Sequence, residues 1–379
     1  MALLLDARLR KLAQTLVGYS CQVQPGEKVL IEMFGPHHEL TRALVEEVYA
    51  AGGLPFVWLR EDSVRRAMML RNTPEQLDIM ADNDAALMRQ MQVYIGVRGG
   101  NNATELSDVP ADRFECYNVH YHEKVHGIIR VPQTRWVVLR YPSEGMSQKA
   151  SMSTEAFEDF YFDVCTMDYG KLSRAMDALV DVLNRTDEVR ITGPGTDLTF
   201  SIKGLPAGKA DGSCNIPDGE VGTAPVRDSV HGTIAYNTPS IYNGVTYDNI
   251  RLTFEKGRIV DCSSNHTAGM RKIFDTDEGA RYVGEFAIGT NPYLDRPILD
   301  TLFDEKIAGS LHFTPGACYD SCDNGNHSAI HWDLVLVQTP EYGGGNLYFD
   351  GQLVRQDGRF ILPELQGLNV ENFRESHRG

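Results

Sequence analysis

The chain has 379 residues, a length that suggests two or three domains rather than one core. Hydrophobic residues make up 42% and charged residues 23%, an ordinary composition for a globular protein, and the formal net charge of −16 argues against nucleic acid as the main partner. No run of about 18 apolar residues occurs, so the sequence predicts no membrane span.

The N-terminal segment indicates a protein of the cytoplasm, a compartment in which cysteines stay reduced. Leucines recur on one helical face, at Leu5, Leu9, Leu12 and Leu16, so the segment predicts an amphipathic helix. Charged residues follow the short apolar run 2–5 too soon for a signal peptide. The seven cysteines are scattered and form no C-x-x-C pair, so we expect reduced thiols in packing roles rather than disulfides.

Short apolar runs alternate with helical periodicity in the first half of the chain. The predicted strands are residues 28–33, 54–59, 92–97 and 135–139; the predicted helical stretches are 38–51, a helix that begins at Pro74, and 153–184. Strands that alternate with helices imply a mostly parallel sheet. We therefore predict a doubly wound α/β domain over residues 1–187.

Two polar features of this half invite a functional interpretation. The loop 98–102 (RGGNN) follows a strand, but it matches neither G-x-G-x-x-G nor a phosphate-binding P-loop, so a plain turn is expected. His120, His122 and His126 form a histidine cluster in a polar segment with no rigid apolar strand after it. We interpret these histidines as surface or interface residues.

The pattern changes near Glu188, where long helical stretches give way to short strands and Gly/Pro/Asp turns. Glu255-Lys256-Gly257 stands between two apolar runs, which is a hairpin signal. We therefore predict a second domain over residues 188–379, β-rich and of the α+β class. The predicted fold class is thus α/β, with a doubly wound N-terminal domain and this C-terminal domain.

The residues most suggestive of chemistry lie in the tripeptide His331-Trp332-Asp333 and in the predicted strand that contains His312. Alternate side chains of a strand share a face, so His331 and Asp333 would point toward one cation. Imidazole nitrogens together with a carboxylate suit zinc, cobalt, manganese or iron.

Two carboxylates add to this set. Glu285 lies in the apolar run YVGEFAIG, where an unpaired buried carboxylate would cost several kcal/mol, and Glu220 follows a Pro/Gly turn. With His312, His331 and Asp333 they make two imidazoles and three carboxylates. That inventory suits two divalent cations bridged by a carboxylate and a water, which is hydrolase chemistry and predicts a metal-binding C-terminal domain.

Long ordered segments of the second half resemble the aminopeptidase T / aminopeptidase S family of two-metal metallopeptidases. They are NIPDGEVGTAPVRDSVHG, FDTDEGARYVGEFAIGTNPY, LFDEKIAGSLHFTPG and HWDLVLVQTPEYGGGNLYFDGQLV. The resemblance implies a metalloaminopeptidase, a homodimer that removes N-terminal residues from peptides with two zinc, cobalt or manganese ions per chain. It also implies the ligand set Glu220, Glu285, His312, His331 and Asp333, with Tyr319 close to the metals.

Within that resemblance, roles can be proposed for individual groups. Glu220 or Glu285 would serve as ligand and as acceptor of the water proton, with Glu305, expected on an exposed helix or turn, in reserve. Tyr319 would donate a hydrogen bond to the developing oxyanion. Gly222 departs from the family pattern, where a bulkier residue is expected, and this would reshape the substrate pocket.

Two alternatives remain open at the level of sequence. His312, His331 and Asp333 alone would satisfy the two-histidine, one-carboxylate site of a non-haem iron dioxygenase. Glu220 and Glu285 argue against it, because that chemistry needs open coordination positions. The other alternative is a non-catalytic binding protein that retains the fold, which a complete ligand set disfavours.

Overall fold

Two compact units make up the fold, in a computed structural model that describes residues 6–102 and 104–374. Unit 1 comprises Met1–Met167 with Gly212–Ile216, and unit 2 comprises Asp168–Asp211 with Pro217–Gly379. In these described ranges no helix combines the length and the apolar character that a membrane crossing requires.

The helices are, in chain order, α1 (Ala7–Gln14), α2 (His38–Ala50), α3 (Asp62–Met69), α4 (Pro74–Met88), α5 (Ala111–Tyr117), α6 (Val131–Gln133), α7 (Glu144–Lys149), α8 (Thr154–Cys165), α9 (Tyr169–Asn184), α10 (Thr267–Phe274) and α11 (Thr301–Asp304). π-Helical segments, Thr15–Ser20 and Asn118–Arg130, continue α1 and α5.

The strands are, in chain order, β1 (Lys28–Phe34), β2 (Leu54–Arg60), β3 (Val93–Arg98), β4 (Arg135–Arg140), β5 (Glu188–Gly193), β6 (Thr196–Ser201), β7 (Gly208–Ala210), β8 (Asn215–Ile216), β9 (Glu220–Thr223), β10 (His231–Ala235), β11 (Ser240–Tyr242), β12 (Val245–Tyr247), β13 (Arg251–Glu255), β14 (Arg258–Ser263), β15 (Val283–Gly289), β16 (Ser310–Pro315), β17 (Val335–Val337), β18 (Asn346–Phe349), β19 (Gln352–Gln356) and β20 (Arg359–Phe360).

Unit 1 is built on a five-stranded sheet in the order β2-β1-β3-β4-β8, and each neighbouring pair is parallel. Every residue of β1 after Lys28 is buried, as expected for a parallel strand covered on both faces. The predicted doubly wound α/β architecture is confirmed. The four predicted strands appear with ends shifted by about one residue.

The helices of unit 1 begin and end where local signals place them. Leu9, Leu12 and Leu16 are buried, as predicted for the amphipathic N-terminal helix, whereas Leu5 lies outside the described residues. Helix α4 begins at Pro74, and the Thr73 hydroxyl caps it by accepting a hydrogen bond from the Gln76 amide at 3.2 Å.

The predicted helical stretch 153–184 is two helices, α8 and α9. Asp168 separates them, because its carboxylate accepts a hydrogen bond from the Lys171 amide at 2.8 Å and starts α9 afresh. Helix α9 packs on β7 and β9 of unit 2, and β8 lies in the sheet of unit 1. The compact units therefore divide at Met167–Asp168 instead of near residue 188; the division 1–187 and 188–379 into folding domains stays a prediction.

Unit 2 contains two antiparallel sheets, ordered β14-β13-β10-β6-β5-β18-β19-β20 and β17-β16-β15-β9-β7, and a small hairpin of β11 and β12. The predicted hairpin joins β13 to β14. Its turn residues Lys256 and Gly257 have φ angles of 47° and 78°, the left-handed values that a tight hairpin turn needs. The prediction of a β-rich α+β second half is confirmed.

The segment His331–Asp333 is not a strand, contrary to the prediction. His331 makes only an isolated bridge with Gly316, and β17 begins at Val335. The Trp332 side chain is buried against the rings of Tyr242, Tyr247 and Phe274. This buried ring holds the segment in place. The side chains of His331 and Asp333 therefore still share one side, although the segment forms no strand ladder with a neighbour.

Candidate metal centre

One face of the sheet that contains β9, β15 and β16 carries three of the predicted ligands. Glu220 and Gly222 lie two residues apart on β9, and Glu285 and Ala287 lie two apart on β15. Ala287 is paired with Gly222 on one side and with His312 of β16 on the other. Because residues two apart share a face, Glu220, Glu285 and His312 face the same side.

His331 and Asp333 reach the same place from the segment that precedes β17. The Asp333 carboxylate accepts a hydrogen bond from the Thr314 hydroxyl of β16 at 2.9 Å. The Nδ1 atom of His331 donates to the Ala317 carbonyl oxygen at 2.8 Å. In the neutral imidazole this bond places the proton on Nδ1, so Nε2 is the atom that a metal would bind once the ring has lost its second proton.

Glu285 stands between the two histidines. Its Oε1 atom lies 3.6 Å from Nε2 of His312, and its Oε2 atom lies 3.2 Å from Nε2 of His331. Nε2 of His331 is also 3.1 Å from Asp333 Oδ1, and Nε2 of His312 is 3.6 Å from Glu220 Oε2. The Glu285 carboxylate thus contacts both histidines, and each histidine also faces a further carboxylate.

The donor atoms form groups of three whose members lie within 4.8 Å of one another. In the described residues these groups are Glu220–Glu285–His312, Glu285–His331–Asp333 and Glu305–His312–Asp333. The first two share Glu285, and the buried Oε2 atom of Glu220 has no hydrogen-bond partner. An orphaned carboxylate oxygen beside imidazole nitrogens is what a divalent cation would satisfy, so the residues present fit a metal site.

The pKa values of the histidines reflect this crowding of carboxylates. Burial alone would lower the pKa of His312, but its contacts with Glu285 and Glu220 outweigh burial and raise it to about 10. Burial also opposes a charge on His331, whose pKa rises to about 11 beside Asp333 and Glu285. The carboxylates therefore attract positive charge strongly, which a divalent cation supplies in place of protons.

Tyr319 lies at the edge of this cluster. Its Oη atom is 3.3 Å from Nε2 of His331, and its ring lies 5.0 Å from the His331 ring. Burial of the hydroxyl raises the pKa of Tyr319, and the carboxylates of Glu285 and Asp333 add to that shift, so the phenol keeps its proton. It is therefore a hydrogen-bond donor next to the ligand set.

The structure also places groups here that sequence reasoning missed or misjudged. Glu305 was expected on an exposed helix or turn, but its side chain is only 12% exposed and faces His312 and Asp333. Lys306, which is 2% exposed, contacts Glu220 and Glu305. The sequence marks these two residues only by their position: the acidic Glu305 and the basic Lys306 directly precede the apolar pair Ile307-Ala308.

Other candidate residues lie elsewhere. His327 is exposed, and no described cysteine belongs to a donor group or a disulfide. His120 contacts Asp78 at 2.8 Å, and His122 is exposed. His126 corrects the surface interpretation of that cluster, because it is buried beside the ring of Tyr94.

Comparison with known proteins places this arrangement in context. The family described as thermophilic metalloprotease (M29) matches residues 5–358. Aminopeptidase PepS of Streptococcus thermophilus is 26% identical, over 92% of this chain and 95% of that protein. Aminopeptidase T of Thermus thermophilus is 25% identical, over 93% and 98%. Aminopeptidase 2 of Geobacillus stearothermophilus is 24% identical, over 93% and 95%.

Two solved structures share the fold across nearly the whole chain. AmpT from Thermus thermophilus aligns with a TM-score of 0.75 at 22% identity, covering 94% of this chain and 99% of that one. A 2,5-dihydroxypyridine dioxygenase from Pseudomonas putida KT2440 aligns with a TM-score of 0.61 at 13% identity, covering 94% and 98%. At these identities both are evidence of fold alone.

Proposed function

The chain belongs to the thermophilic metalloprotease (M29) family, and from that premise we propose that it is a metal-dependent aminopeptidase that removes N-terminal residues from peptides. The observation that carries this proposal is the position of Glu285, whose two carboxylate oxygens contact His312 and His331 separately. A carboxylate shared in this way is the arrangement expected between two metal positions.

The donor set supports two divalent ions per chain. Glu220, Glu285 and His312 would hold one ion, and Glu285, His331 and Asp333 would hold the other. Carboxylate oxygens with imidazole nitrogens suit zinc, cobalt or manganese. When bound, such ions lower the pKa of a water and polarise a carbonyl group.

The residues of the chain supply the remaining chemistry. A carboxylate accepts the proton that the attacking water loses: Glu220 or Glu285, or Glu305 in reserve, which lies beside His312 and Asp333. Tyr319 donates its hydroxyl hydrogen to the oxygen on which negative charge develops. An aminopeptidase also needs an anion for the ammonium group of the peptide, and a carboxylate of this acidic site would supply it.

The iron-dioxygenase alternative loses support from the geometry. His312, His331 and Asp333 do not form one close trio among the donor groups of the described residues. Each of the histidines instead faces Glu285, and Glu220 adds a further carboxylate next to His312. The fold shared with a dioxygenase says nothing of chemistry, because unrelated reactions occur on one fold.

We also infer that the protein acts in the cytoplasm and forms a homodimer. The cysteines support the first inference, because those of the described chain are free and a reducing compartment keeps them so. The homodimer rests on the family resemblance alone.

Elemental analysis combined with a peptidase assay tests the proposal. Protein reconstituted with zinc or cobalt should hold two ions and hydrolyse leucine or arginine p-nitroanilide, and an N-acetylated substrate should resist cleavage. Glu220→Gln should reduce the metal content by one ion and Glu285→Gln by both. A single ion undisturbed by Glu220→Gln would overturn the two-metal site; metal-loaded protein without turnover would favour the non-catalytic binding protein.

A further inference from the structure

A buried lysine adjoins the proposed metal site. Lys306 follows α11 and is only 2% exposed. Its amide donates to the Phe303 carbonyl at 3.0 Å, and its carbonyl accepts from the Asn291 amide at 3.0 Å. The backbone of Lys306 is therefore held through both its amide and its carbonyl group.

The ammonium group of Lys306 is surrounded by carboxylates. Its Nζ atom lies 2.8 Å from Glu220 Oε1, contacts Glu305 Oε1 and lies 3.9 Å from Asp218 Oδ1. An ammonium group can donate hydrogen bonds but cannot accept them or bind a cation. The lysine therefore acts on the ligands and takes no place among them.

Because Lys306 contacts Glu220, the two carboxylate oxygens of Glu220 have different surroundings. Oε1 is held by Lys306, while Oε2 is buried, has no hydrogen-bond partner and faces Nε2 of His312 at 3.6 Å. With one oxygen fixed, the carboxylate cannot rotate freely, so the other stays directed at the donor group it shares with Glu285 and His312. Partners of this kind orient metal ligands in many proteins.

We propose that Lys306 is a positioning residue that holds Glu220 as a one-oxygen ligand and thereby sets the metal affinity of the Glu220–Glu285–His312 position. The inference rests on the proposed metal site. It concerns metal binding directly, so it can be tested without an activity measurement.

The test is metal binding by Lys306→Met, with cobalt(II) or zinc(II) alone as the probe and a chelator as competitor. Loss of such a partner typically weakens metal binding about 10- to 100-fold. We expect that loss at one of two positions, with the other unchanged. The visible absorption of bound cobalt(II) should also change, because a released Glu220 could bind through both oxygens.

Lys209→Met is the matched control. Lys209 is a partly buried lysine of unit 2 on β7, the strand that pairs with β9. Its ammonium group contacts Asp177 and Ser173, outside the donor groups. This variant loses a lysine ion pair beside the same sheet but outside the donor groups, so it should bind both metal ions as wild type does.

A second variant guards against a failure to fold. Lys306→Met leaves Glu305 and Glu220 without their shared cation, so Lys306→Met with Glu305→Gln removes one of the uncompensated charges. We expect this double variant to fold, by its circular dichroism, and to bind metal more weakly than Glu305→Gln alone, which is its reference because Glu305 belongs to a donor group. Metal affinity equal to that of its reference in either folded variant would overturn the inference. So would failure of both to fold, since the lysine would then be a requirement of the fold.

These outcomes separate the inference from the proposed function. Wild-type protein that binds no zinc or cobalt would refute the metal site itself. Wild-type protein that binds two ions, together with an unaffected Lys306→Met, would refute only the role of Lys306.

Discussion

Three roles are compared for Tyr319: hydrogen-bond donor to the oxyanion, metal ligand and packing residue. The residue is 52% exposed, so packing alone does not explain its position, and Oη lies 3.3 Å from the ligand nitrogen of His331. We predict that Tyr319→Phe lowers kcat about a hundredfold to a thousandfold, the usual cost of a lost oxyanion donor. Metal content should stay at the wild-type level in elemental analysis.

The control for this prediction is Tyr348→Phe, a tyrosine of β18 in the other sheet of unit 2, which should keep wild-type kcat. A Tyr319→Phe protein that regains activity with excess metal would identify the tyrosine as a ligand. Unchanged kcat would make it a packing residue.

The residues of the site differ in how far sequence alone reveals them. Glu285 was visible because a carboxylate in an apolar run needs a partner. Lys306 was not, because a lysine in a sequence ordinarily indicates an exposed position, and its burial follows from contacts with Glu220 and Asp218 that lie far away in the chain. The sequence predicts that His331 and Asp333 share one side because it predicts a strand there. The segment is not a strand, but the buried Trp332 ring between the two residues produces the same alternation.

At the scale of elements, the close approach of β9 and β15 explains why residue 222 is glycine. A Cβ atom built on Gly222 would lie 2.7 Å from the Cβ atom of Ala287 and 3.4 Å from Oε1 of Glu285. The space that a bulkier residue would occupy is therefore filled by Ala287. The close pairing of β9 and β15 thus accounts for a glycine at this position, and its effect on the substrate pocket stays a prediction.

We predict that Gly222→Ala lowers the free energy of unfolding by about 1–3 kcal/mol, the cost of overpacking. Ala287→Gly should cost about 0.5–1 kcal/mol by itself. Because the substitutions exchange the same methyl group across one residue pair, the double variant should be more stable than the sum of the two losses implies. Urea titrations of the three variants measure this coupling, and strictly additive losses would show that the two positions do not compete for space.

A helix of unit 1 carries a group whose charge should affect stability with pH. His126 is buried near Glu32, Arg98, Arg130 and His122, and burial lowers its pKa to about 4 despite the opposing effect of Glu32. Its ordinary pKa is about 6.5, so between these values the unfolded chain binds a proton that the folded chain does not. Stability contributed by the neutral imidazole is thus present above that window and is lost as pH falls through it.

We predict that His126→Phe, which keeps the aromatic contact with Tyr94, weakens this dependence. Between about pH 7.5 and about pH 5 the wild type should lose about 2 kcal/mol of unfolding free energy more than the variant does. Urea titrations at the two pH values give the comparison, and His231→Gln, at an exposed histidine, should behave as wild type. Parallel pH dependence in His126→Phe and wild type would refute the role of His126.

Elements were predictable to different degrees for physical reasons. Strands β1 and β3 are buried along nearly their whole length, so they appear in the sequence as mainly apolar runs, interrupted within β1 by Glu32. Strand β8 has two residues, Asn215 and Ile216, and depends on pairing with β4, so nothing local could reveal it. Because of this pairing, Gly212–Ile216 belongs to unit 1. No change in the local sequence pattern indicates this.

At the scale of the whole molecule, every proposed metal ligand belongs to unit 2. An ion that binds the folded state alone stabilises it, by about 2.7 kcal/mol at a hundredfold excess over its dissociation constant. Because Glu220, Glu285 and His312 lie on β9, β15 and β16, the stabilisation should be greatest in those strands. The sequence predicted that all ligands lie in the second half of the chain. The bounds of the unit that contains them follow only from the fold.

We therefore predict that zinc slows amide hydrogen exchange in peptides from β15 and β16 and leaves β1 and β3 of unit 1 nearly unchanged. Mass spectrometry of exchange with and without zinc makes the comparison on the full chain. Glu285→Gln is the control: it removes the carboxylate common to both positions, so zinc should give it little protection. Equal protection of β1 and β15 would mean that the metal stabilises the molecule as one cooperative body, and protection confined to unit 1 would place the ions elsewhere.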